Sequence, residues 1–377
     1  MAGIYIHIPF CKQACHYCDF HFSTSLKTYE GVVKGIRTEI AQRSVDLKGE
    51  LVDTIYFGGG TPSLLKDRDL KIIMDDLRSS FSIASTPEIT LEANPDDLAE
   101  AHFLSWKNAG INRLSIGIQS FHNEDLQWMN RAHNAQEALT AVKKAQDHGF
   151  LNLTIDLIYG IPNSTHERWK ENVETALSLQ VPHISAYALT VEDRTALAHF
   201  IREGKVVAPQ EDRAEEDFQY LRKALLATGY HHYEISNFSL PGMNSKHNSA
   251  YWSGVSYLGL GPGAHGFGNG KRRWNISNNA LYVRMVEKGE VFWEEEILSD
   301  MDQFNEWVMT GLRRLEEGVD LERVGARFGE KVLDQLLEDA SPYLEAGDLQ
   351  IENGRLRLTE KSIFRADGIA SDLFQLP

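Results

Sequence analysis

Three cysteines within eight positions are the residues of this sequence best suited to chemistry. Cys11, Cys15 and Cys18 stand in the stretch HIPFCKQACHYCDFHF, residues 7–22, and they are the three cysteines of the 377-residue chain. Separations of four and three residues are too short for a disulfide framework, so we expect reduced thiols that act together. Thiolates are soft ligands that select zinc, copper(I) or iron–sulfur clusters.

Two kinds of metal site fit this loop. A structural zinc ion needs four ligands, and His16 or His21 would complete a Cys3His set. Zinc ribbons usually draw their ligands from two separated knuckles, whereas C-x3-C-x2-C stands alone here. A [4Fe–4S] cluster held entirely by protein takes four thiolates, so three would leave one iron with an exchangeable position. The sequence favours this open cluster over zinc.

Later segments carry further candidate binding residues. The glycines of FGGGTPS, residues 57–63, let backbone amides approach a ligand, although a tight turn would need them too. Glu92 in LEANPD can accept hydrogen bonds from the hydroxyl groups of a ligand, or it can belong to a helix cap. Gln119, Arg131 and Asp156 are polar residues that solvated loops would also contain.

The elements that would position these residues are short apolar runs separated by helical patterns. The runs are continuous rather than alternating, which is typical of parallel strands buried on both faces. The segments between them are long enough for crossover helices. The predicted strands are 3–9, 52–58, 88–94, 112–118, 151–160 and 182–189, and the predicted helices are 28–46, 67–80, 96–108, 135–148 and 166–179.

The candidate residues stand where the predicted strands end. Barrel enzymes place their chemistry at the C-terminal ends of parallel strands. We therefore predict an α/β fold with a partial (β/α)6 TIM-like barrel over residues 1–195, open on one side. Residues 196–290 are predicted to form a connecting region, in which the glycine-rich stretch 230–274 has no clear helix or strand pattern.

The C-terminal residues 291–377 are predicted to form a helical, winged-helix-like domain. Helical patterns cover 302–316, 319–328 and 331–345, and the hairpin LQIENGRLRLT turns at Asn353-Gly354. This segment has 20 acidic and 9 basic residues, and the whole chain has a net charge of −16. Because binding to phosphate backbones needs a cationic surface, we expect no nucleic-acid partner.

The cysteine loop CKQACHYC, placed after a first strand, resembles that of the radical S-adenosylmethionine superfamily. From Tyr5 to about residue 190, the motifs and their order are similar to those of the oxygen-independent coproporphyrinogen III oxidase family. The resemblance implies a [4Fe–4S] cluster whose fourth iron takes the amino and carboxylate groups of S-adenosylmethionine. An electron from the cluster then cleaves the sulfonium to a 5′-deoxyadenosyl radical.

The resemblance also implies roles for individual residues. Cys11, Cys15 and Cys18 would hold the cluster. Arg131 suits a carboxylate partner, and Asp156 suits an amino or hydroxyl group. In the oxidases this region holds two S-adenosylmethionine molecules. The residues implied to line it here are Tyr5, Tyr17, Gly59, Gly60, Thr61, Glu92, Gln119, Arg131 and Asp156.

Two departures separate this chain from the oxidases. Their cysteine motif continues with a further cysteine at the position that Phe20 occupies here. They also carry an N-terminal extension before the first strand, which is predicted to begin at residue 3 in this chain. Both departures put porphyrinogen decarboxylation in doubt.

The motif HNSAYW, residues 247–252, resembles the H-N-x-x-Y-W motif of the related HemW family of haem chaperones. The resemblance implies haem binding, with His247 as an axial ligand and with Tyr251 and Trp252 as flat apolar surface for the porphyrin. The alternative is a capped turn followed by buried aromatics. His265 in GPGAHGFG is a second candidate ligand, although the glycines around it would also suit a plain loop.

The leading hypothesis is a haem chaperone that carries haem as cargo and passes it to acceptor haem proteins such as membrane respiratory complexes. The alternatives are a coproporphyrinogen III oxidase or another radical enzyme, and a zinc-stabilised barrel protein without radical chemistry. No apolar run approaches the roughly 18 residues of a membrane span, and the N-terminus has no leader pattern. We expect a cytoplasmic location, and we leave peripheral membrane contact and a homodimer open.

Overall fold

The core of the fold is a parallel sheet of six strands connected by helices, which a computed structural model describes within residues 1–375. All six predicted strands and all five predicted helices are present, so the α/β prediction is confirmed. The helix Asn123–Trp128 has six residues, too few to show a helical period, and it was missed. The elements are β1 Ala2–Ile8, α1 Tyr29–Gln42, β2 Val52–Gly59, α2 Asp67–Ser80, β3 Ile83–Ala93, α3 Glu100–Ala109, β4 Arg113–Gln119, α4 Asn123–Trp128, α5 Ala135–Asp147, β5 Leu153–Tyr159, α6 His166–Ser178 and β6 His183–Ala188.

The segment that follows contains short elements, including those of the stretch that gave no clear pattern. Its strands have three to five residues, too few for alternation to be recognised. The elements are α7 Ala196–Arg202, α8 Glu211–Ala227, β7 His231–Glu234, β8 Asn237–Ser239, α9 Lys246–Trp252, β9 Tyr257–Leu260, β10 His265–Gly268, β11 Lys271–Asn275, α10 Asn279–Lys288 and β12 Trp293–Ile297.

The twelve strands up to residue 297 form one sheet in the order β12-β11-β10-β9-β1-β2-β3-β4-β5-β6-β8-β7. β1 to β6 are parallel neighbours, and β9 extends them by pairing in parallel with β1, with Gly3 opposite Tyr257. Within residues 1–375 the sheet has two free edges, β12 and β7, so the barrel is open as predicted. The predicted boundaries at 195/196 and 290/291 stay predictions, and the sheet continues across both.

The last elements form the predicted winged-helix-like unit. Four helices pack with a small antiparallel sheet, whose strands stand in the order Val319–Asp320, Arg355–Leu358, Leu349–Glu352. Asn353 and Gly354 both have positive φ, as a two-residue hairpin turn requires. Residues 376 and 377 of the predicted domain lie outside the described residues. The elements are α11 Asp300–Arg313, β13 Val319–Asp320, α12 Leu321–Phe328, α13 Glu330–Ala346, β14 Leu349–Glu352, β15 Arg355–Leu358 and α14 Ala366–Asp372.

A buried carboxylate fastens the β9–β11 extension to the first helix. Glu39 of α1 accepts hydrogen bonds from the Gly261 amide (2.8 Å), Asn275 Nδ2 (2.8 Å), the Tyr282 hydroxyl (2.7 Å) and Arg43 Nη1 (3.2 Å). Burial raises the pKa of the Glu39 carboxyl, and the Arg43 charge and these donors oppose that rise. Four partners offset the cost of burying the charge.

Candidate functional site

The C-terminal ends of the parallel strands surround a cavity of about 690 Å³. The structure brings eleven of the twelve residues predicted for the cluster and S-adenosylmethionine to its wall, and the twelfth, Tyr5, is not part of the lining. The Tyr5 hydroxyl instead lies 3.1 Å from His7 Nδ1. The lining includes Cys11, Cys15, Cys18, Tyr17, Gly59, Gly60, Thr61, Glu92, Gln119, Arg131 and Asp156.

Backbone hydrogen bonds hold the cysteine loop against the cavity. The Cys11 amide donates to the Ser23 carbonyl (3.1 Å), which closes the base of the loop. The His16 amide donates to the Met129 carbonyl (3.1 Å), and Asn130 Nδ2 donates to the Ala14 carbonyl (2.7 Å). The segment after α4 therefore positions the loop from the opposite side.

Arg131 is the cation closest to the thiols. Its Nη1 donates to Cys15 Sγ (3.3 Å), and its Nη2 donates to Asn94 Oδ1 (2.6 Å) and to the Gly117 carbonyl (2.8 Å). Its Nε is buried and has no hydrogen-bond partner within the described chain. Burial raises the pKa of the Cys11 thiol, and the positive charge of Arg131 opposes that rise.

Burial makes the Cys11 and Cys18 thiols poor acids. It raises the pKa of Cys18 to about 12, and it also raises the pKa of Cys11, against the hydrogen bond that Thr61 Oγ1 donates to Cys11 Sγ (3.5 Å). A cationic metal centre would stabilise the thiolates, because metal binding displaces the thiol protons. The donor set therefore fits a bound iron–sulfur cluster.

Gly59 and Gly60 lie beside the cysteines, at positions that have no space for a side chain. A Cβ on Gly60 would lie 2.8 Å from the Phe10 carbonyl oxygen and 2.9 Å from its amide nitrogen. Gly59 has φ of +109°, and a Cβ there would lie 2.6 Å from the His7 ring. Side chains at either position would disturb the end of β1, so the structure requires glycine here.

Two half-buried carboxyl groups form another part of the wall. Burial raises the pKa of Glu92 to about 7, and the charge of Asp156 adds to this rise. The Tyr56 hydroxyl opposes it by donating to Glu92 Oε1 at 2.7 Å. Burial also raises the pKa of Asp156 to about 6, against a hydrogen bond from Ser115. Groups that titrate near neutral pH in a cavity are typical of ligand-binding sites.

Gln119 reaches the cavity through an irregular strand end. It adopts a positive φ of 68°, which is uncommon for a residue other than glycine, and the pairing of β4 with β5 shifts between Ile116 and Gln119. Such backbone strain concentrates at binding sites. The space is also tight, because a Cβ on Gly117 would lie 2.9 Å from Gln119 Nε2.

The two histidines of the zinc alternative are engaged elsewhere. His16 Nδ1 lies 2.8 Å from the Trp128 carbonyl, and His21 Nε2 lies 2.7 Å from Asn279 Oδ1. Among residues 1–375, no three Cys, His, Asp or Glu side chains are arranged to hold a single ion.

The HNSAYW motif forms α9, away from the cavity lining. Ser245 caps this helix by accepting from the Asn248 amide, and Glu88 of β3 accepts from the His247 amide (3.0 Å). His247 enters the barrel interior, where its Nδ1 lies 2.8 Å from Thr54 Oγ1 and its ring stacks on Tyr56 with centroids 5.1 Å apart. Burial lowers the pKa of His247 to about 4, so the imidazole is neutral at pH 7.

The other motif residues differ in exposure. The Tyr251 side chain is exposed and lies one helical turn after His247 on the same face of α9. Trp252 is half-buried, and the Arg313 guanidinium lies over its ring at 4.4 Å. His265 is exposed on β10, where its ring stacks with Trp274 at 6.2 Å.

Comparison with known proteins finds matches in two parts of the chain. The profile of the Radical SAM superfamily matches residues 5–176, and that of the HemN C-terminal domain matches residues 298–365. The haem chaperone HemW of Bacillus subtilis is 34% identical over 97% of this chain and 95% of its own. HemW of Lactococcus lactis is 36% identical over 95% of this chain and 93% of its own.

The chain belongs to the HemW family of radical SAM proteins. This confirms the resemblance stated from the motifs. Among solved structures, coproporphyrinogen III oxidase (HemN) from Escherichia coli superposes with a TM-score of 0.85, covering 99% of this chain and 90% of that one. At 21% identity this likeness concerns the fold, and it agrees with the open parallel sheet followed by a helical domain. No helix within residues 1–375 is long and apolar enough to cross a membrane.

The structure adds three residues that the motifs did not single out for this site. Asn94 Oδ1 accepts a hydrogen bond from Arg131 Nη2, and Asn94 Nδ2 donates one to Thr61 Oγ1 at 3.0 Å. Tyr56 contacts both Glu92 and the motif histidine. Arg313 reaches the cavity from the C-terminal domain. Polar residues at alternate positions of β2 were an available signal for Tyr56, whereas the placement of Arg313 depends on tertiary packing alone.

Proposed function

We propose that this chain is a haem chaperone that binds haem, a [4Fe–4S] cluster and S-adenosylmethionine, and that it transfers haem to acceptor haem proteins such as respiratory enzymes. The observation that supports this most is the 34% identity with the haem chaperone HemW over 97% of the chain. That span is long enough to include both the cysteine cavity and α9.

In this proposal the cavity is the cofactor site. Cys11, Cys15 and Cys18 hold the cluster, which supplies a redox-active iron with an open coordination position. Arg131 offers its guanidinium to a carboxylate, and Glu92 accepts hydrogen bonds from ribose hydroxyls. Asp156, Gln119 and Tyr17 complete the wall for S-adenosylmethionine, and the amides of Gly59, Gly60 and Thr61 border the same space. Tyr5 supports this wall from behind, through its stacking on Tyr56.

His247 is the proposed haem ligand. Thr54 engages its Nδ1, which leaves Nε2 as the nitrogen for iron, and a hydrogen bond of this kind orients a histidine ligand. The exposed ring of Tyr251 and the neighbouring Trp252 offer apolar surface for the porphyrin. The neutral imidazole favours this role, because a protonated ring cannot bind a metal.

Haem titration after anaerobic reconstitution tests this assignment. We expect a saturable change in the Soret band for the wild type and a weaker or altered one for His247→Ala. His231→Ala is the matched control, because its side chain is 55% exposed and lies outside the motif. An unchanged titration in His247→Ala would contradict the role of His247, and no Soret change in the wild type would contradict the chaperone itself.

Product and metal analyses test the alternatives. We expect about four iron and four sulfide per chain after reconstitution, and zinc without sulfide would contradict the cluster. Incubation with coproporphyrinogen III, reductant and S-adenosylmethionine is expected to yield no protoporphyrinogen. Transfer to a purified apo haem protein, followed by its absorbance, tests delivery. We further propose a cytoplasmic location, with membrane contact made through the acceptor.

A further inference from the structure

The two proposed binding sites share one wall of the barrel interior. Along β2, Thr54 faces His247 and Tyr56 faces both His247 and Glu92. Glu92 lines the cavity beside the cysteines, whereas His247 belongs to α9, away from the cavity lining. A single strand therefore presents side chains to both sites.

Tyr56 is the residue that touches both. Its hydroxyl donates to Glu92 Oε1 at 2.7 Å, and its ring lies 5.1 Å from the His247 ring at an interplanar angle of 28°. Tyr5 stacks on Tyr56 at 6.1 Å and 25°. The ring and the hydroxyl of one rigid side chain thus make separate contacts, one with each site.

Close packing around Tyr56 allows little independent movement. A Cβ on Gly58 would lie 2.8 Å from Tyr5, 2.9 Å from Tyr56 and 3.1 Å from Glu92 Oε1. A Cβ on Gly3 would lie 2.9 Å from Thr54 Oγ1 and 3.3 Å from His247 Cε1. Because packed interiors transmit displacements rather than absorb them, a change in the orientation of Glu92 reaches the motif histidine through Tyr56.

We propose that Tyr56 is a positioning residue that couples the two sites, so that a ligand on Glu92 and haem on His247 each strengthen the binding of the other. This rests on the proposed function. A carboxylate accepts several hydrogen bonds, so ribose hydroxyls can engage Glu92 while Tyr56 keeps its own bond. The ligand then fixes the orientation of Glu92, and the hydrogen bond from Tyr56 fixes the packed Tyr56 ring against His247 in the same orientation, so each ligand favours the arrangement that the other needs.

Paired titrations test the coupling. Haem dissociation constants are measured by Soret absorbance with and without saturating S-adenosylmethionine, and the S-adenosylmethionine constant is measured with and without haem. In the wild type we expect each ligand to tighten the other by about fivefold or more, with equal factors, because coupling is reciprocal. Tyr56→Phe keeps the stacked ring and loses the hydroxyl, and its two factors are expected to fall to about one.

Tyr343→Phe is the matched control, because it also removes a hydroxyl that donates to a carboxylate, that of Asp372, and neither of these residues lines the cavity or contacts α9. It should retain the wild-type factors. Full coupling in Tyr56→Phe would overturn the inference. A wild type that binds both ligands independently would also overturn it. Either result would leave the proposed function intact. A wild type that binds no haem would overturn the proposed function, and the inference with it.

Discussion

Acidification is expected to weaken the binding of S-adenosylmethionine through Glu92. The pKa of this carboxyl is about 7, because burial and the charge of Asp156 outweigh the hydrogen bond from Tyr56. Ribose hydroxyls donate to the ionised carboxylate, so the affinity should rise as the pH rises through this pKa. With a pKa of about 7, the ionised fraction falls from about nine-tenths at pH 8 to about one-tenth at pH 6. The dissociation constant should therefore increase roughly tenfold between these conditions.

Equilibrium dialysis of labelled S-adenosylmethionine against the anaerobically reconstituted protein measures this change. Glu92→Gln should bind more weakly at pH 8 and should lose the titration near pH 7. Asp156→Asn removes a neighbouring negative charge, so the midpoint should move to lower pH while burial keeps it above the ordinary range for a glutamate. Glu100→Gln, at an exposed position of α3, should behave as the wild type. Equal wild-type affinity at pH 6 and pH 8 would refute this reasoning.

Three further predictions concern the thiols, the fold and the motif helix. Cys15→Ser should lower iron and sulfide well below about four per chain, and unchanged metal content would exclude this thiol as a ligand. Glu39→Ala leaves Arg43 buried beside an empty space and should cost about 3–5 kcal/mol of unfolding free energy, whereas Glu30→Ala on the exposed face of α1 should leave the urea midpoint unchanged. Thr54→Val should weaken haem binding roughly tenfold by releasing the motif histidine. Its control is Thr90→Val, because the Thr90 hydroxyl has no hydrogen-bond partner in the described chain and equal losses in both variants would argue against a specific contact.

The parallel core was predictable because its signals are local. Each strand of β1 to β6 is an apolar run long enough to be recognised as a strand. Each crossover contains a helix whose apolar residues recur at helical spacing. Eleven of the twelve residues expected around the cluster line one cavity, because parallel strands bring their C-terminal ends to one edge. Tyr5 is the exception. It lies within β1 as predicted, but its hydroxyl pairs with His7 Nδ1 and its ring stacks on Tyr56, and it is not part of the lining.

The region between residues 230 and 275 was not predictable in the same way. β9 has four residues, and its partner is β1, more than 250 positions earlier in the chain. Gly259 shows why so short a strand persists: a Cβ there would lie 1.9 Å from the His265 carbonyl oxygen, so the close approach of β10 demands glycine. The local sequence shows that a glycine is present, but it does not show which backbone packs against that glycine.

The polar interior of the barrel explains how the HNSAYW helix comes to its position. The strands read as apolar runs because their outward residues belong to the hydrophobic core, while the inward positions of β3 carry Glu88 and Glu92. Glu88 is buried, and it accepts from two backbone amides at the start of α9, those of Lys246 (3.2 Å) and His247 (3.0 Å). A buried charge needs compensation, which Arg113 of β4 supplies at 3.9 Å. The two carboxylates of β3 thus have different roles. Glu88 fixes the helix that carries the proposed haem ligand, and Glu92 faces the proposed cofactor.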